Sequence, residues 1–246
     1  MTKEIKKWWE DNSKSFQEDS KIPIGISYGP RMPTENKLKL IGNFKDKKVL
    51  EIGCGGAQCG IGFAKKGAKV IGIDISNEQL KYAKELAEKN KVKIKLLQGD
   101  IKKLKQIKSN SQDIVFSSWA LLYVSDLKKC FKEVYRVLKK KGIFVFGTSH
   151  PFWEITDKKK MKIKKCYFKT GKYKEPHKKG TFVCYSHTIS ELINPLINSG
   201  FIIERLEEPD PKKTDKNIKK EFVTGVHRRK AMKIIPRTII IKAIKK

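Results

Sequence analysis

The chain has 246 residues, with 56 lysine and arginine residues against 26 aspartate and glutamate residues, which gives a formal net charge of +30. This length fits one domain with additions and can bury a core without disulfides or a structural metal. No apolar run approaches the roughly 20 residues that a membrane-spanning helix needs, which argues against a membrane partner. The first ten residues lack the apolar stretch of a secretion signal, and the five cysteines form no Cys-x-x-Cys pair. We therefore expect a cytoplasmic protein with reduced thiols and no metal site.

The basic residues are mostly lysine. Only six of the 56 are arginine, and the 50 lysines are spread along the whole chain. Specific recognition of phosphates and bases favours the arginine fork over the point charge of lysine. The composition therefore favours a solvated lysine-rich surface over a nucleic-acid footprint, and RNA binding remains the alternative.

Residues 1–46 form a predicted helical or lid segment. The pattern predicts a helix over Lys6–Phe16, a breaker-rich loop over Ile22–Pro30, and a helix capped by Thr34 that ends at Gly42. The aromatic residues here either form a lid over a ligand or close the edge of the sheet. Tyr28, in the loop, is a candidate for contact with the substrate.

From residue 47 onward, apolar strands alternate with amphipathic helices, which predicts one domain over 47–246. This alternation is typical of an α/β fold with a doubly wound, mostly parallel sheet. Residues 149–186 interrupt it and are predicted to be an inserted lid or substrate segment. A helix after the fourth strand is predicted to end at Gly142, and another begins at a Thr188 cap. The predicted strands are Lys48–Ile52, Lys69–Asp74, Lys93–Gln98, Asp113–Ser118, Ile143–Thr148, Phe201–Leu206 and Thr238–Ile244.

A glycine-rich turn, Gly53-Cys54-Gly55-Gly56-Ala57, follows the first strand. Such a turn allows a ligand to approach the backbone closely. A dinucleotide-binding turn would have a third glycine at position 58, where this chain has Gln58. A carboxylate at Glu51 is also poorly placed beside a pyrophosphate and suits an ammonium group instead. An NAD-dependent oxidoreductase is therefore the less favoured alternative.

Two more carboxylates end neighbouring strands. Asp74 ends the second strand and can accept the hydroxyls of a ribose, while Asp100 follows the third and can bind the amine of an adenine. Because the carboxyl ends of parallel strands meet at one edge, both are expected beside the glycine-rich turn. A ligand with an ammonium group, a ribose and an amino-purine but no phosphate is S-adenosylmethionine.

These segments resemble the successive motifs of class I S-adenosylmethionine-dependent methyltransferases, in the branch that acts on small molecules. The matching stretches are residues 51–57, 73–76, 98–101 and 113–116, and Leu138–Ile143 is similar to the Leu-x-Pro-Gly-Gly turn of the family, with lysines at two of its positions. The resemblance implies a seven-stranded sheet with an antiparallel last strand. It also implies that the following residues bind the cofactor: Glu51, Gly53, Cys54 and Gly55 at the methionine part, Asp74 and Ile75 at the ribose and adenine, Asp100 and Ile101 at the adenine edge, and the Ser117 carbonyl at the methionine amine.

The methyl acceptor is expected beyond the fourth and fifth strands. The chain lacks the Asn/Asp-Pro-Pro-Tyr/Phe sequence common in enzymes that methylate base amines. Trp119 and Tyr123 either wall an apolar acceptor pocket or pack a helix. His150, at the end of the fifth strand, is a candidate catalytic base or a structural histidine that binds a loop backbone. His187 is a second, less favoured candidate for the base.

The sequence thus predicts a methyltransferase that acts on a small, partly apolar molecule by in-line displacement. The lysines and aromatic residues of 158–179 fit either a lid or a surface for single-stranded RNA. An RNA methyltransferase is therefore the second hypothesis, and a non-catalytic binding protein is a further one. The oligomeric state is left open.

Overall fold

The computed structural model describes residues 3–30, 32–177, 180–210 and 230–246, without the side chains of 175–177. Within them, seven strands form one sheet in the order β10-β11-β5-β4-β1-β2-β3. Its strands are β1 (Lys48–Ile52), β2 (Lys69–Asp74), β3 (Lys95–Gln98), β4 (Gln112–Ser118), β5 (Leu138–Ser149), β10 (Phe201–Glu207) and β11 (Thr238–Lys245).

The sheet is parallel except at its last strand. β1 pairs in parallel with β2 and β4, and the pairs β2–β3 and β4–β5 are also parallel. β11 lies antiparallel between β5 and β10. The α/β class, the seven strands and the antiparallel last strand are therefore confirmed.

Helices cover both faces of this sheet. The longer ones are α1 (Lys3–Ser20), α3 (Gln58–Ala64), α4 (Asn77–Lys89), α5 (Leu127–Val137) and α7 (Ile189–Asn198); α2 (Glu35–Leu38), a 3-10 turn (Leu121–Tyr123) and α6 (Pro151–Ile155) are short. Among the described residues, no helix combines the length and apolar character that crossing a bilayer requires.

The strands are buried on both faces, as their continuous apolar runs predict. Leu50 of β1 belongs to the core cluster that contains residues of α5 and α7, whereas its neighbour Val49 belongs to the cluster that contains Phe63 of α3. Successive side chains of one strand point to opposite faces, so one short strand contributes to both halves of the core.

Several predicted ends of helices and strands are wrong. The helix predicted over Lys6–Phe16 spans Lys3–Ser20, and the strands predicted to begin at Lys93 and Ile143 begin at Lys95 and Leu138. α5 ends at Val137 rather than at Gly142, because the chain passes directly into β5, which begins at Leu138. α2 ends at Leu38 rather than at Gly42, and Lys39 there adopts a left-handed conformation. The Thr188 cap is confirmed: its side chain accepts from the Glu191 N–H, and Glu191 bonds back to the Thr188 N–H.

The segment between β5 and α7 contains two hairpins that the sequence pattern did not predict. β6 (Thr156–Asp157) pairs with β7 (Lys162–Ile163), and β8 (Gly171–His177) pairs with β9 (Gly180–Ser186). Residues 178–179, at the end of the predicted lid over 158–179, lie outside the described residues, as do residues 211–229.

Candidate active site

The glycine-rich turn connects β1 to α3. Gly53 and Gly55 have φ angles of +64° and +52°, in the left-handed region that favours glycine. A Cβ atom at Gly53 would lie 2.2 Å from Cβ of Ala120, in the segment after β4. Only glycine therefore fits at this position, and the turn lies at the carboxyl ends of β1 and β4.

Glu51 lies beneath the turn with 3% of its surface exposed. One of its carboxyl oxygens accepts from the Gly60 N–H at 2.7 Å. Burial raises the pKa of Glu51 to about 8, against the lowering effect of that hydrogen bond, and the charge of Asp74 raises it further. An ammonium group placed here would favour the ionised carboxylate, so the site fits the cationic end of S-adenosylmethionine.

Asp74, at the end of β2, holds the turn in place. Its two carboxyl oxygens accept from the Gly55 N–H at 2.8 Å and the Ser76 N–H at 3.0 Å. Burial raises its pKa, while these backbone hydrogen bonds lower it. Each carboxylate oxygen can accept a second hydrogen bond, as two ribose hydroxyls require.

Asp100 and Ile101 lie at the third strand end. Asp100 is partly exposed and accepts from the Lys102 N–H, with Nζ of Lys102 at 3.9 Å from its carboxylate, whereas Ile101 is fully buried. Ile75 is half-buried after Asp74. These three residues thus border one edge of the sheet, as predicted for adenine-binding positions.

Cys54 and Ser117 complete the set of predicted cofactor residues. Cys54 is buried, and this burial raises the pKa of its thiol well above the usual range, which suits a small spacer rather than a nucleophile. Ser117, the last residue but one of β4, is fully buried, and its hydroxyl donates to the Ile52 carbonyl at 3.1 Å. The structure therefore brings the predicted cofactor residues together at one sheet edge.

Helix α1 lies across this edge. Gln17 donates to Oε1 of Gln79 at 2.8 Å and accepts from Nε2 of Gln58 at 2.6 Å. A Cβ atom at Gly56 would lie 3.0 Å from the Gln17 amide. Glu10 accepts from the backbone N–H groups that open α4, at 3.0 and 3.1 Å. The helix is thus tied to both helices that follow the cofactor strands.

A cluster of aromatic side chains lies beside the turn. It joins α1, the 3-10 turn and β9: Trp9 contacts Phe16 and Tyr123 with ring centroids 4.9 and 5.5 Å apart, and Phe182 lies 5.1 Å from Trp8 and 6.2 Å from Tyr123. Such rings offer an apolar surface to a bound molecule. We call these five residues the aromatic cluster.

Trp119 and Tyr28 occupy different surroundings. The Trp119 ring lies 4.9 Å from the Arg237 guanidinium and packs against Gly29, where a Cβ would be 2.1 Å from its Nε1. Tyr28 has no exposed surface, and its hydroxyl donates to Glu35. Their predicted contact with substrate stays a prediction, and this packing favours a structural role for both.

Both ring nitrogens of His150 are occupied. Nδ1 accepts from the Phe152 N–H at 3.0 Å, and Nε2 lies 2.7 Å from a carboxyl oxygen of Glu208. With Nδ1 as acceptor, the neutral ring carries its proton on Nε2 and donates it to Glu208. The base role stays a prediction, and this geometry favours the structural alternative.

We expect His150→Ala to lower the free energy of unfolding by about 1–2 kcal/mol, because both hydrogen bonds are lost, and to leave methyl transfer within a few-fold of wild type. Burial lowers the pKa of His150, against the effect of Glu208. Its stabilisation is therefore present above pH 6.5 and decreases as the pH falls. Chemical denaturation between pH 5 and pH 8 measures the effect. A large loss of activity with unchanged stability would restore His150 as the base.

A small cleft opens at the carboxyl end of β5. Inside it, Glu154 accepts hydrogen bonds from Ser149 and Tyr173. His187 reaches the same cleft from the end of β9, and its Nε2 is buried without a hydrogen-bond partner among the described residues. The lining residues are Leu122, Thr148, Ser149, Pro151, Glu154, Tyr185, Ser186, His187 and Leu192.

The sequence patterns did not identify several of these residues as parts of the site. Gln17 bonds to residues 41 and 62 positions away, so no local spacing indicates its partners. Glu154 and Tyr173 meet only because the segment after β5 folds back on itself. The one usable signal was the position of Glu154 four residues after His150, directly beyond a strand end.

We expect Gln17→Leu to speed the dissociation of S-adenosylhomocysteine several-fold and to lower the free energy of unfolding by about 1–2 kcal/mol, because the amide bonds that hold α1 are lost. Stopped-flow displacement and chemical denaturation measure the two effects. Glu18→Ala, on the exposed side of the same helix, is the matched control. A lower stability with an unchanged dissociation rate would favour α1 as a closure of the sheet edge over α1 as a lid.

Comparison with known proteins places these features among methyltransferases. A family model described as "Methyltransferase domain" matches residues 43–220. An uncharacterized protein of Haemophilus influenzae is 29% identical over 225 residues, which are 85% of this chain and 88% of that protein. A ubiquinone biosynthesis O-methyltransferase of Pelagibacter ubique is 33% identical over 157 residues, which are 60% of this chain and 62% of that protein. The crystal structure of an S-adenosylmethionine-dependent methyltransferase from Mesorhizobium loti is 26% identical, with a TM-score of 0.70, over 84% of this chain and 94% of the other.

Proposed function

The chain belongs to the methyltransferase-domain family, as a class I methyltransferase that uses S-adenosylmethionine, and on this premise we propose that it methylates a small, partly apolar molecule. The aromatic cluster carries this proposal. It is built from three separate elements, whose rings form one apolar surface, and it includes Tyr123 of the segment that follows Ala120.

The cofactor residues support the orientation of the donor. When bound, S-adenosylmethionine supplies a methyl group on a positively charged sulfur. We propose that Glu51 attracts its ammonium group and that Asp74 accepts from its ribose hydroxyls. Asp100 and Ile101 then border the adenine. With its ammonium group at Glu51, the methyl group would lie on the side of the glycine-rich turn that contacts Ala120, in the segment that leads to Tyr123.

The chemistry of the acceptor is suggested by its surroundings. Rings supplied by Trp9, Tyr123 and Phe182 favour an apolar body, while the polar side chains of the neighbouring cleft favour at least one polar group. The Pelagibacter relative acts, by its name, as an O-methyltransferase in ubiquinone biosynthesis. A partly apolar acceptor with a polar group agrees with both observations.

Transfer of a labelled methyl group tests this function. The purified protein is incubated with methyl-labelled S-adenosylmethionine and with either the small-molecule fraction or the RNA of a cell extract. We expect label in a compound below about 1 kDa, at a rate that changes little between 50 and 200 mM salt. Label in RNA, with a rate that falls steeply with salt, would support the RNA alternative instead.

A further inference from the structure

His187 lies between β9 and the Thr188 cap of α7, and the Val124 carbonyl lies close enough to favour the protonated ring. Because Nε2 has no partner among the described residues, a proton on Nδ1 is the one that this carbonyl can accept. The neutral tautomer with a proton on Nδ1 and a lone pair on Nε2 follows.

The surroundings keep this ring neutral near pH 7. Burial lowers the pKa of His187, while the charge of Glu191 and the Val124 carbonyl act in the opposite direction. Glu191 is itself engaged, since its carboxylate accepts from the Thr188 N–H at 2.9 Å and from the Thr170 hydroxyl at 3.0 Å. A neutral imidazole with a free lone pair can accept a proton.

The other carboxylate in the cleft is less available. One oxygen of Glu154 accepts from the Ser149 hydroxyl and the other accepts from the Tyr173 hydroxyl. These two donors fix the Glu154 carboxylate against the wall of the cleft. His187, which lines the cleft, therefore has a buried Nε2 that no donor of the described chain uses.

The position of His187 connects the cleft to the aromatic cluster. Val124, whose carbonyl lies near the ring, directly follows Tyr123 of that cluster. β9 contains Phe182 of the cluster and ends at Ser186, directly before His187. The cleft and the cluster thus share the segment after β4. An acceptor whose apolar part lies against the rings can place a polar group in the cleft.

We propose that His187 Nε2 is the general base that takes the proton of a hydroxyl group on the methyl acceptor. This inference rests on the proposed function and specifies it as O-methylation. The acceptor oxygen forms a bond to the methyl carbon, and the electron pair of the carbon–sulfur bond stays on the sulfur. The hydroxyl proton passes to Nε2, and the reaction needs no other reactant.

Nuclear magnetic resonance of ¹⁵N-histidine-labelled protein with S-adenosylhomocysteine tests the state of the ring without an acceptor. We expect His187 to show the tautomer protonated at Nδ1, with a pKa below 6.5. His187→Asn identifies the resonance and retains an amide N–H near the Val124 carbonyl. A ring protonated at Nε2 near pH 7 would overturn the proposal, because it has no lone pair in the cleft.

Labelled methyl transfer then tests the chemistry. We expect His187→Asn to lower kcat/KM by at least about 100-fold, with the affinity for S-adenosylhomocysteine and the thermal midpoint close to wild type. Wild-type activity should fall below about pH 6, and this fall should be absent from the pH profile of the variant. The other titratable groups near the ring are Glu154 and Tyr185, which line the cleft, and Glu191. The labelled product should carry a methyl ether.

The outcomes separate the two proposals. A labelled small molecule with a methyl group on carbon, nitrogen or sulfur, or a His187→Asn variant within three-fold of wild type, removes the assignment of His187 and leaves the proposed function. An extract in which wild-type protein labels no small molecule contradicts the proposed function, and the assignment of His187 fails with it.

Discussion

Asp74→Asn should weaken the binding of S-adenosylhomocysteine roughly 100-fold, an effect of about 3 kcal/mol. The ribose hydroxyls lose their charged acceptor. The amide also turns an N–H group towards either the Gly55 N–H or the Ser76 N–H, both of which now donate to the carboxylate. The free energy of unfolding should fall by about 1–2 kcal/mol for the same reason. Calorimetric titration and chemical denaturation measure the two effects.

The control for this substitution is Asp46→Asn. Asp46 is exposed, precedes β1 and has a φ angle of +63°, a conformation that asparagine tolerates well. The substitution Asp46→Asn removes one negative charge, as Asp74→Asn does, but at the opposite end of the sheet. Equal affinities of Asp74→Asn and wild type would show that the second strand end does not hold the ribose.

Glu51→Gln should weaken the same ligand roughly 10- to 100-fold near pH 8 and remove the pH dependence of its binding. In the free protein the pKa of Glu51 is about 8, so the carboxyl is protonated at pH 7. The ligand's ammonium group favours the ionised form, so binding releases a proton and becomes tighter as the pH rises towards 8. Glutamine can still accept from the Gly60 N–H but carries no charge.

The stability of the ligand-free protein should change in the opposite sense. Because the pKa of Glu51 is raised on folding, its contribution is fully present below about pH 4.5 and is lost as the pH rises towards 8, by up to about 1.4 kcal/mol per pH unit. Glu51→Gln should therefore unfold at a higher denaturant concentration than wild type at pH 8. Glu88→Gln, on the exposed side of α4, is the control, and a similar pH dependence of binding in Glu51→Gln and wild type would refute the role of the carboxylate.

The sequence predicted those parts of the molecule that depend on local periodicity and on parallel topology. The apolar runs of β1 and β2 were found with their observed ends, and the rule that parallel strands end at one edge brought Glu51, Asp74 and Asp100 together. The Thr188 cap was found because its partner Glu191 is three residues away. These features need no knowledge of distant packing.

The acceptor side could not be predicted because it depends on contacts between distant segments. β8 carries two lysines and a proline, which hide the strand pattern, and the β8–β9 hairpin becomes part of the site only because Phe182 packs on Trp8 and Tyr123. His150 has the position of a catalytic base in sequence, but Glu208, 58 residues later, occupies its Nε2. The unpartnered nitrogen of His187 is a property of packing alone.

The crystal structure of the complex with S-adenosylhomocysteine is the most direct measurement of this site. We expect the ligand's amine within hydrogen-bond distance of Glu51 or joined to it by one water, and both ribose hydroxyls on Asp74. Its sulfur should face the aromatic cluster, on the side where His187 lines the cleft. A ligand whose sulfur points to another edge of the sheet, or whose ribose lies away from Asp74, would contradict both the cofactor assignments and the location of the acceptor.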